Sequence, residues 1–286
     1  MSAGQPEEPR RPRSDLPLRL ASALVMMAIA AGAVVAGGYV FAGLVAIGAG
    51  LVLHEWNAMA GPFQTRAADK ASLVLVAVSV FASIWDPVSS IAAIAAVTGV
   101  LVLLGAMDRK LPWLGAGIVY AALPGVAAIV LRGNGAPGET TNGLVALAFV
   151  FVVVWAADSA AYFVGRSVGG PKLWPRVSPK KTWSGALGGL VGAVAGGLAV
   201  AEIGGFRASA VLAVVILVLA VGSQAGDLFE SALKRHFGVK DSSHLIPGHG
   251  GVMDRVDGLA VALVLAAAIG MARAGGADVA TGLMAW

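Results

Sequence analysis

The residues that could do chemistry gather in two polar stretches between apolar runs. In one, Asp227, Glu230, Ser231 and Lys234 fall at i, i+3, i+4 and i+7, with Arg235 beside the lysine. On a helix that spacing makes one polar stripe at the end of an apolar segment. Asp227 is there a candidate metal ligand, Ser231 an oxygen donor, and Lys234 with Arg235 a phosphate site. A solvated helix end with local ion pairs has the same spacing. Further on, Pro247-Gly248-His249-Gly250-Gly251 is followed at once by Asp254-Arg255-Val256-Asp257. Glycines let backbone amides approach an anion. Asp254 and Asp257 share a helix face, and hard carboxylate oxygens suit Mg²⁺, which takes one or two carboxylates together with substrate phosphates. Capping of a helix N-terminus, about 0.3–1 kcal/mol per acid, explains one such Asp more easily than two beside a glycine turn and an arginine. His249 reads as a base, a phosphate donor or a structural histidine; His236 and His244 read as interfacial.

The other stretch begins at Asp158, which ends the apolar run FVFVVVWAAD. An unpaired carboxylate is costly there, so Asp158 is expected to meet a cation or a metal. Ser178-Pro179-Lys180-Lys181-Thr182-Trp183-Ser184 follows. Its lysines either hold substrate phosphate or attract anionic lipid, at about 1 kcal/mol each. Trp174, Trp183 and Trp286 are expected to anchor the membrane interface. Metal-binding acids and cationic groups around a polyphosphate are the apparatus of phosphoryl or nucleotidyl transfer, which works by positioning and charge neutralisation and needs no protein nucleophile. Cysteine is absent, which excludes thiolate catalysis, disulfides and Cys-ligated metals.

The elements that must carry these residues follow from composition. Of 286 residues, 58% are hydrophobic and 13% charged, about half the charge of a soluble domain; the mean hydropathy is +0.83. The apolar runs are continuous and Ala/Leu/Val/Gly-rich, without the alternation of a barrel strand. The fold expected is an all-α, polytopic integral membrane protein. About nine transmembrane helices are counted, near 16–36, 38–53, 71–85, 88–106, 113–131, 143–161, 185–203, 209–226 and 257–273. Residues 1–15, rich in Pro, Arg and Glu, read as a disordered cytoplasmic tail. Residues 16–142 would form an N-terminal transmembrane region, and 143–286 a catalytic one. With the N-terminus inside, seventeen of the twenty Lys and Arg lie on the cytoplasmic side and only Arg132, Arg207 and Arg273 fall in outer connections, the positive-inside pattern. The two longest inner connections, 162–184 and 227–256, then bring the chemistry to the cytoplasmic face, at the level of lipid headgroups.

The polar run resembles the phosphatidate cytidylyltransferase (CDP-diacylglycerol synthase) family. It matches the family pattern at Ser231, Lys234, Arg235, Lys240, Asp241, Pro247, His249, Gly250, Gly251, Asp254, Arg255 and Asp257. Gly226-Asp227-Leu228, Asp158, Ala161-Tyr162, Gly165 and Ser178 to Thr182 extend the likeness to about 150–260. Ser184 departs from it, standing where many members carry Glu, and Ser184→Ala is expected to be mild. The resemblance implies that CTP and phosphatidate give CDP-diacylglycerol and pyrophosphate. It implies Mg²⁺ held by Asp227, Asp254 and Asp257, a second cation such as K⁺, and a homodimer. Asp158 joins the expected metal ligands. Lys180, Lys181, Lys234, Arg235, Lys240 and Arg255 would hold the triphosphate and lipid phosphate, with His249 and the Gly250–Gly251 amides; Ser178, Thr182 and Ser231 are further candidates. The expected setting is the inner (plasma) membrane, multi-pass, with membrane lipids around it and no nucleic acid partner. Two rivals stand beside this reading: a CTP-dependent kinase of polyprenol- or dolichol-type alcohols, which releases CDP, and a transporter, which would need polar residues near mid-membrane.

Overall fold

The computed structural model describes residues 16–61, 66–106, 108–133, 141–246, 250–274 and 278–286. The N-terminal tail, most of the Gly-rich connection before residue 141, and Pro247, Gly248 and His249 lie outside the described residues.

Ten α-helices account for most of the chain: α1 (Leu16–Ala36), α2 (Gly38–Ala60), α3 (Arg66–Ala82), α4 (Pro87–Leu103), α5 (Leu111–Arg132), α6 (Thr141–Val168), α7 (Trp183–Ile203), α8 (Ala210–His236), α9 (Met253–Ala274) and α10 (Val279–Met284). Among the described residues, seven helices are long and apolar enough to cross a membrane: α2, α4 with the 3₁₀ turn that extends it, and α5 to α9. The protein is therefore a multi-pass, nearly all-helical membrane protein. Each of the nine apolar runs overlaps one helix, but α3 has 17 residues and the apolar part of α1 considered there is Ser22–Ala36, both short of that length.

Several helices overrun their apolar segments, α3 among them, which begins before 71. α2 continues past 53, α6 past 161 and α8 past 226, while α9 begins before 257. The hydrophobic run marks the apolar layer, but the backbone keeps its helical bonds into the polar stripe beyond it. Pure all-α needs one correction. β1 (Lys172–Trp174) and β2 (Ser178–Thr182) form an antiparallel hairpin, with Lys172 opposite Thr182 and Trp174 opposite Ser178. Thr182 ends β2 and caps α7, its hydroxyl accepting from the amide of Gly185 at 3.1 Å.

Two glycine seams set the helix packing. On α7, a Cβ at Gly192 would collide with Ala160 Cβ and stand 2.9 Å from the carbonyl oxygen of Ala156; at Gly189 it would stand 2.9 Å from that of Ala157. The missing side chains let α6 and α7 approach backbone to backbone, as small residues do between helices in lipid. Between α8 and α9, a Cβ at Gly226 would stand 2.9 Å from the Asp257 carbonyl oxygen, and one at Gly258 would stand 2.5 Å from Ser223 Oγ. Each of these glycines is next to an aspartate, Asp227 and Asp257, so the same contact brings the two acids together.

The opposite end of the bundle is closed by Arg132 and by the packing of Trp286 on Arg273. Arg132, assigned to an outer loop, is 2% exposed. Its guanidinium donates to the carbonyls of Val34 (2.7 Å) and Val35 (3.2 Å) at the end of α1, filling acceptors that a helix C-terminus leaves open. Trp286 turns back onto the protein, with the Arg273 guanidinium 3.6 Å from its ring centroid. Trp174 and Trp183 are exposed.

Gly192→Ala is expected to lower stability by about 1–3 kcal/mol through overpacking. Thermal unfolding in detergent micelles will show this as a lower midpoint than the parent, whereas Gly32→Ala, where a Cβ meets nothing within 4 Å, leaves it in place.

Candidate active site

The C-terminal parts of α2, α6 and α8 meet the N-terminal ends of α7 and α9 at one end of the bundle. There the residues singled out in the sequence fall into two adjoining groups.

The first surrounds a cavity of about 650 Å³ between α6, the hairpin, α7 and α8. Asp158, Lys180, Lys181, Thr182 and Asp227 line it, joined by Arg166, Lys172, Tyr162 and Gln224. Lys181 makes a short ion pair with Asp227, the two side chains being about one-third exposed. Ser231, one turn on, donates to the other Asp227 oxygen at 3.4 Å. Arg166 donates to the Tyr162 hydroxyl at 2.8 Å. Gln224 donates its amide to the Ala186 carbonyl at 3.1 Å. The cavity thus has a cationic wall of Arg166, Lys172, Lys180 and Lys181 facing carboxylates on α6 and α8. A volume of this order suits a small-molecule ligand, typically about 300–1,000 Å³, and the wall suits a polyphosphate.

The second group is built on Lys234, half-buried between α8 and α9. Its ammonium donates to Glu230 Oε1 at 2.9 Å and to Asp254 Oδ1 at 2.7 Å. Glu230 also accepts from the Tyr120 hydroxyl of α5 at 3.0 Å. Asp254 is heavily engaged: besides Lys234 it accepts from the amides of Ser242 (3.0 Å) and Gly251 (2.9 Å) and from Ser242 Oγ (3.0 Å). Gly250 has φ +80°, and a Cβ there would stand 2.8 Å from Asp254 Oδ2, so the turn needs glycine at this position.

Asp257 joins the two groups. It repels, and is repelled by, Asp227 and Asp158, and it also acts on Glu230. Among the described residues the ion pairs reach Asp227, Glu230 and Asp254 and leave Asp158 and Asp257 without one. Among the described residues Asp257 accepts its neighbour's amide, Gly258, at 2.7 Å. Three mutually repelling carboxylates at the ends of apolar helices, answered directly by one lysine, are a donor set that fits a cation. As they stand, no three Asp, Glu or His side chains among the described residues are close enough to share one ion; the ammonium groups of Lys181 and Lys234 occupy the positions beside Asp227 and Asp254.

Other expected residues are placed less centrally. Arg235, Lys240 and Arg255 are exposed, and Arg235 donates to the Val239 carbonyl at 3.1 Å. Ser178 is half-buried in β2, and the Thr182 hydroxyl is engaged in capping α7. His249 lies outside the described residues. His236 stacks on Trp113, ring centroids 5.4 Å apart. Ser184 has more contact than expected, donating to the Gly169 carbonyl and lying 3.0 Å from Thr182 Oγ1.

Sequence reasoning passed over Glu55, Tyr120, Gln224 and Glu230 as site residues. Glu230 stood in the polar stripe without a role. Glu55 carried a usable signal, an acid within an apolar helix, but the α2 run was ended at residue 53 and left it in a loop.

The chain is similar to known proteins over most of its length. Residues 17–272 match the model of the cytidylyltransferase family. The phosphatidate cytidylyltransferase of Brucella suis is 41% identical over 254 residues, covering 88% of this chain and 92% of that protein. Those of Haemophilus influenzae (46% over 153 residues, 49% of this chain and 51% of that protein) and Bacillus subtilis (48% over 122 residues, 40% and 43%) are similar over shorter regions.

The two lysines differ in surroundings, and their removal should differ accordingly. Lys234→Met leaves Glu230 (side chain 0% exposed) and Asp254 (6%) without their cation, expected to cost about 3–5 kcal/mol. Lys181→Met breaks a pair about 30% exposed on each side, expected to cost about 0–1 kcal/mol. Unfolding midpoints of the two variants in the same detergent measure the difference.

Proposed function

The chain belongs to the cytidylyltransferase family, and from that premise we propose that it makes CDP-diacylglycerol from CTP and phosphatidate, releasing pyrophosphate, in phospholipid biosynthesis. The observation that carries this reading is the pairing of a cationic cavity with three mutually repelling carboxylates, Asp158, Asp227 and Asp257, of which Lys181 pairs only Asp227. A phosphate oxygen of phosphatidate attacks the α-phosphorus of CTP; the bond from that phosphorus to the oxygen of the β-phosphate breaks, and pyrophosphate leaves. The nucleophile is already an anion, so no protein base is required. The residues have to hold two anions together and neutralise the charge that develops.

In this proposal Arg166, Lys172, Lys180 and Lys181 take the triphosphate, whose size and charge suit the cavity they line. Asp227 and Asp257, with Asp158, would hold Mg²⁺, and Asp254 would join them by releasing Lys234; a second cation such as K⁺ fits the same acidic surroundings. Bound there, the metal would supply charge neutralisation to the phosphates. Lys234, freed from Asp254, and the exposed Arg235, Lys240 and Arg255 are placed for the lipid phosphate, with Ser178, Ser231, His249 and the amides of Gly250 and Gly251 as further contacts. Thr182 serves by fixing the start of α7.

The proposed setting is the inner membrane, crossed nine times, with the N-terminus and the site on the cytoplasmic side. The distribution of Lys and Arg supports that orientation. A homodimer belongs to the same proposal: α4, of whose residues Ser90 and Ile94 are buried, offers an apolar face for it.

Purified protein given labelled CTP, phosphatidate and Mg²⁺ should place the label in the lipid phase and release pyrophosphate in equal amount; CDP as the released product would overturn the reading. Asp227→Asn and Asp257→Asn should each reduce kcat at least about 100-fold with unfolding midpoints close to the parent's. Parental turnover in either variant removes that residue from the metal site.

A further inference from the structure

Glu55 lies on α2, outside every motif of the catalytic half, and its side chain is fully buried. Among the described residues no ion pair includes it. It accepts four hydrogen bonds instead, two at each oxygen. Oε1 takes the Ser243 hydroxyl (2.6 Å) and the Val252 amide (2.9 Å); Oε2 takes the Ser242 hydroxyl (3.1 Å) and the Met253 amide (2.7 Å). All four donors lie in the segment 242–253, which joins the end of α8 to the start of α9. Val252 and Met253 carry N–H groups that a helix start leaves without a partner, and a carboxylate is favoured at that end of the helix dipole. Gly251 is shaped to the same contact: a Cβ there would run into Ser242 Oγ and stand 2.6 Å from Glu55 Oε2.

The contact leads directly to the site. Ser242 Oγ lies 3.1 Å from Glu55 and 3.0 Å from Asp254 Oδ2, one hydroxyl proton between two carboxylates, while the Ser242 amide also holds Asp254. A buried carboxylate is expensive unless its acceptors are filled, and four donors in one short segment fix that segment closely. We propose that Glu55 is a positioning residue: from the second helix it sets the loop and the first turn of α9 that carry Asp254 and Asp257. The inference rests on the cytidylyltransferase reading for its effect on turnover, but the anchoring itself does not. It gives the N-terminal helices a part in catalysis that no polar motif in them announces.

Two readouts test it on the full-length protein in detergent. Amide exchange, followed by mass spectrometry without substrate, is compared for parent, Glu55→Gln and Ser243→Ala. In Glu55→Gln one acceptor becomes a donor, so amides of 250–256 should exchange at least about tenfold faster, while those of α6 and α7 stay as in the parent. Turnover should lose at least about tenfold in kcat, since misplacement on the order of 1 Å costs that much or more. KM for CTP should stay within about threefold, because the cavity wall lacks this segment. Ser243→Ala, which leaves α2 intact and serves if Glu55→Gln does not fold, should show the same local pattern more weakly and add nothing in the Glu55→Gln background. Parental exchange and kcat in Glu55→Gln would overturn the proposal, as would acceleration spread over the whole chain, which marks a general stability role. Failure of the parent to form a cytidylylated lipid would overturn the functional reading and leave the exchange result to judge Glu55.

Discussion

Negative charge held at one end of a bundle of apolar helices is the constraint around which this molecule is arranged. A carboxylate near a bilayer needs a cation, a set of donors or a proton, and the first two are divided among neighbouring residues. Glu55 and Asp254 are satisfied by donors, Asp254 and Glu230 share Lys234, and Asp227 takes Lys181. Asp158 and Asp257 have no ion pair of their own among the described residues and feel Lys181 and Lys234 only at longer range, against repulsion from the neighbouring acids. A bundle that keeps such a pair beside a cationic cavity stores a demand for positive charge at the point where a metal-bound polyphosphate would supply it.

Close helix packing makes that concentration of charge achievable. Gly226 and Gly258 bring α8 and α9 together next to Asp227 and Asp257, and the α7 glycines press α6 against α7 below Asp158 and the hairpin. Without side chains at these positions the backbones approach and the acids follow. The N-terminal half contributes through Glu55 and Tyr120, which reach Val252, Met253 and Glu230 from α2 and α5. The boundary expected at residue 142, between N-terminal transmembrane helices and a catalytic region, is thus crossed by hydrogen bonds.

What the sequence made legible was chemistry with a period. The stripe Asp227, Glu230, Ser231, Lys234 is helical, and Asp254 and Asp257 lie on the first turns of α9, because i, i+3, i+4 spacing belongs to one geometry. The apolar runs found their helices but not the helix ends, since hydropathy reports the surrounding medium and the backbone continues past it. Residues whose role depends on a distant partner stayed hidden. Arg132 read as a loop cation, yet it closes α1 almost a hundred positions away; Glu55 meets donors nearly two hundred positions on. The β1–β2 hairpin was hidden for another reason: its strands are short, and Pro179 with two lysines reads as loop. Nor could spacing show that Asp254 would be tied by Ser242 and Lys234 while Asp257 would not.

Binding of a paramagnetic divalent ion measures the central relation most directly. Mn²⁺ titrated into the detergent-purified protein, with free ion followed by electron paramagnetic resonance, reports whether the acids on α6, α8 and α9 act as one site. The expected result is saturable binding, strengthened by CTP and lost when Asp227 and Asp257 are both changed to Asn in a folded protein. Undiminished binding in that double variant would contradict it, because these carboxylates would then not be the seat of the cation.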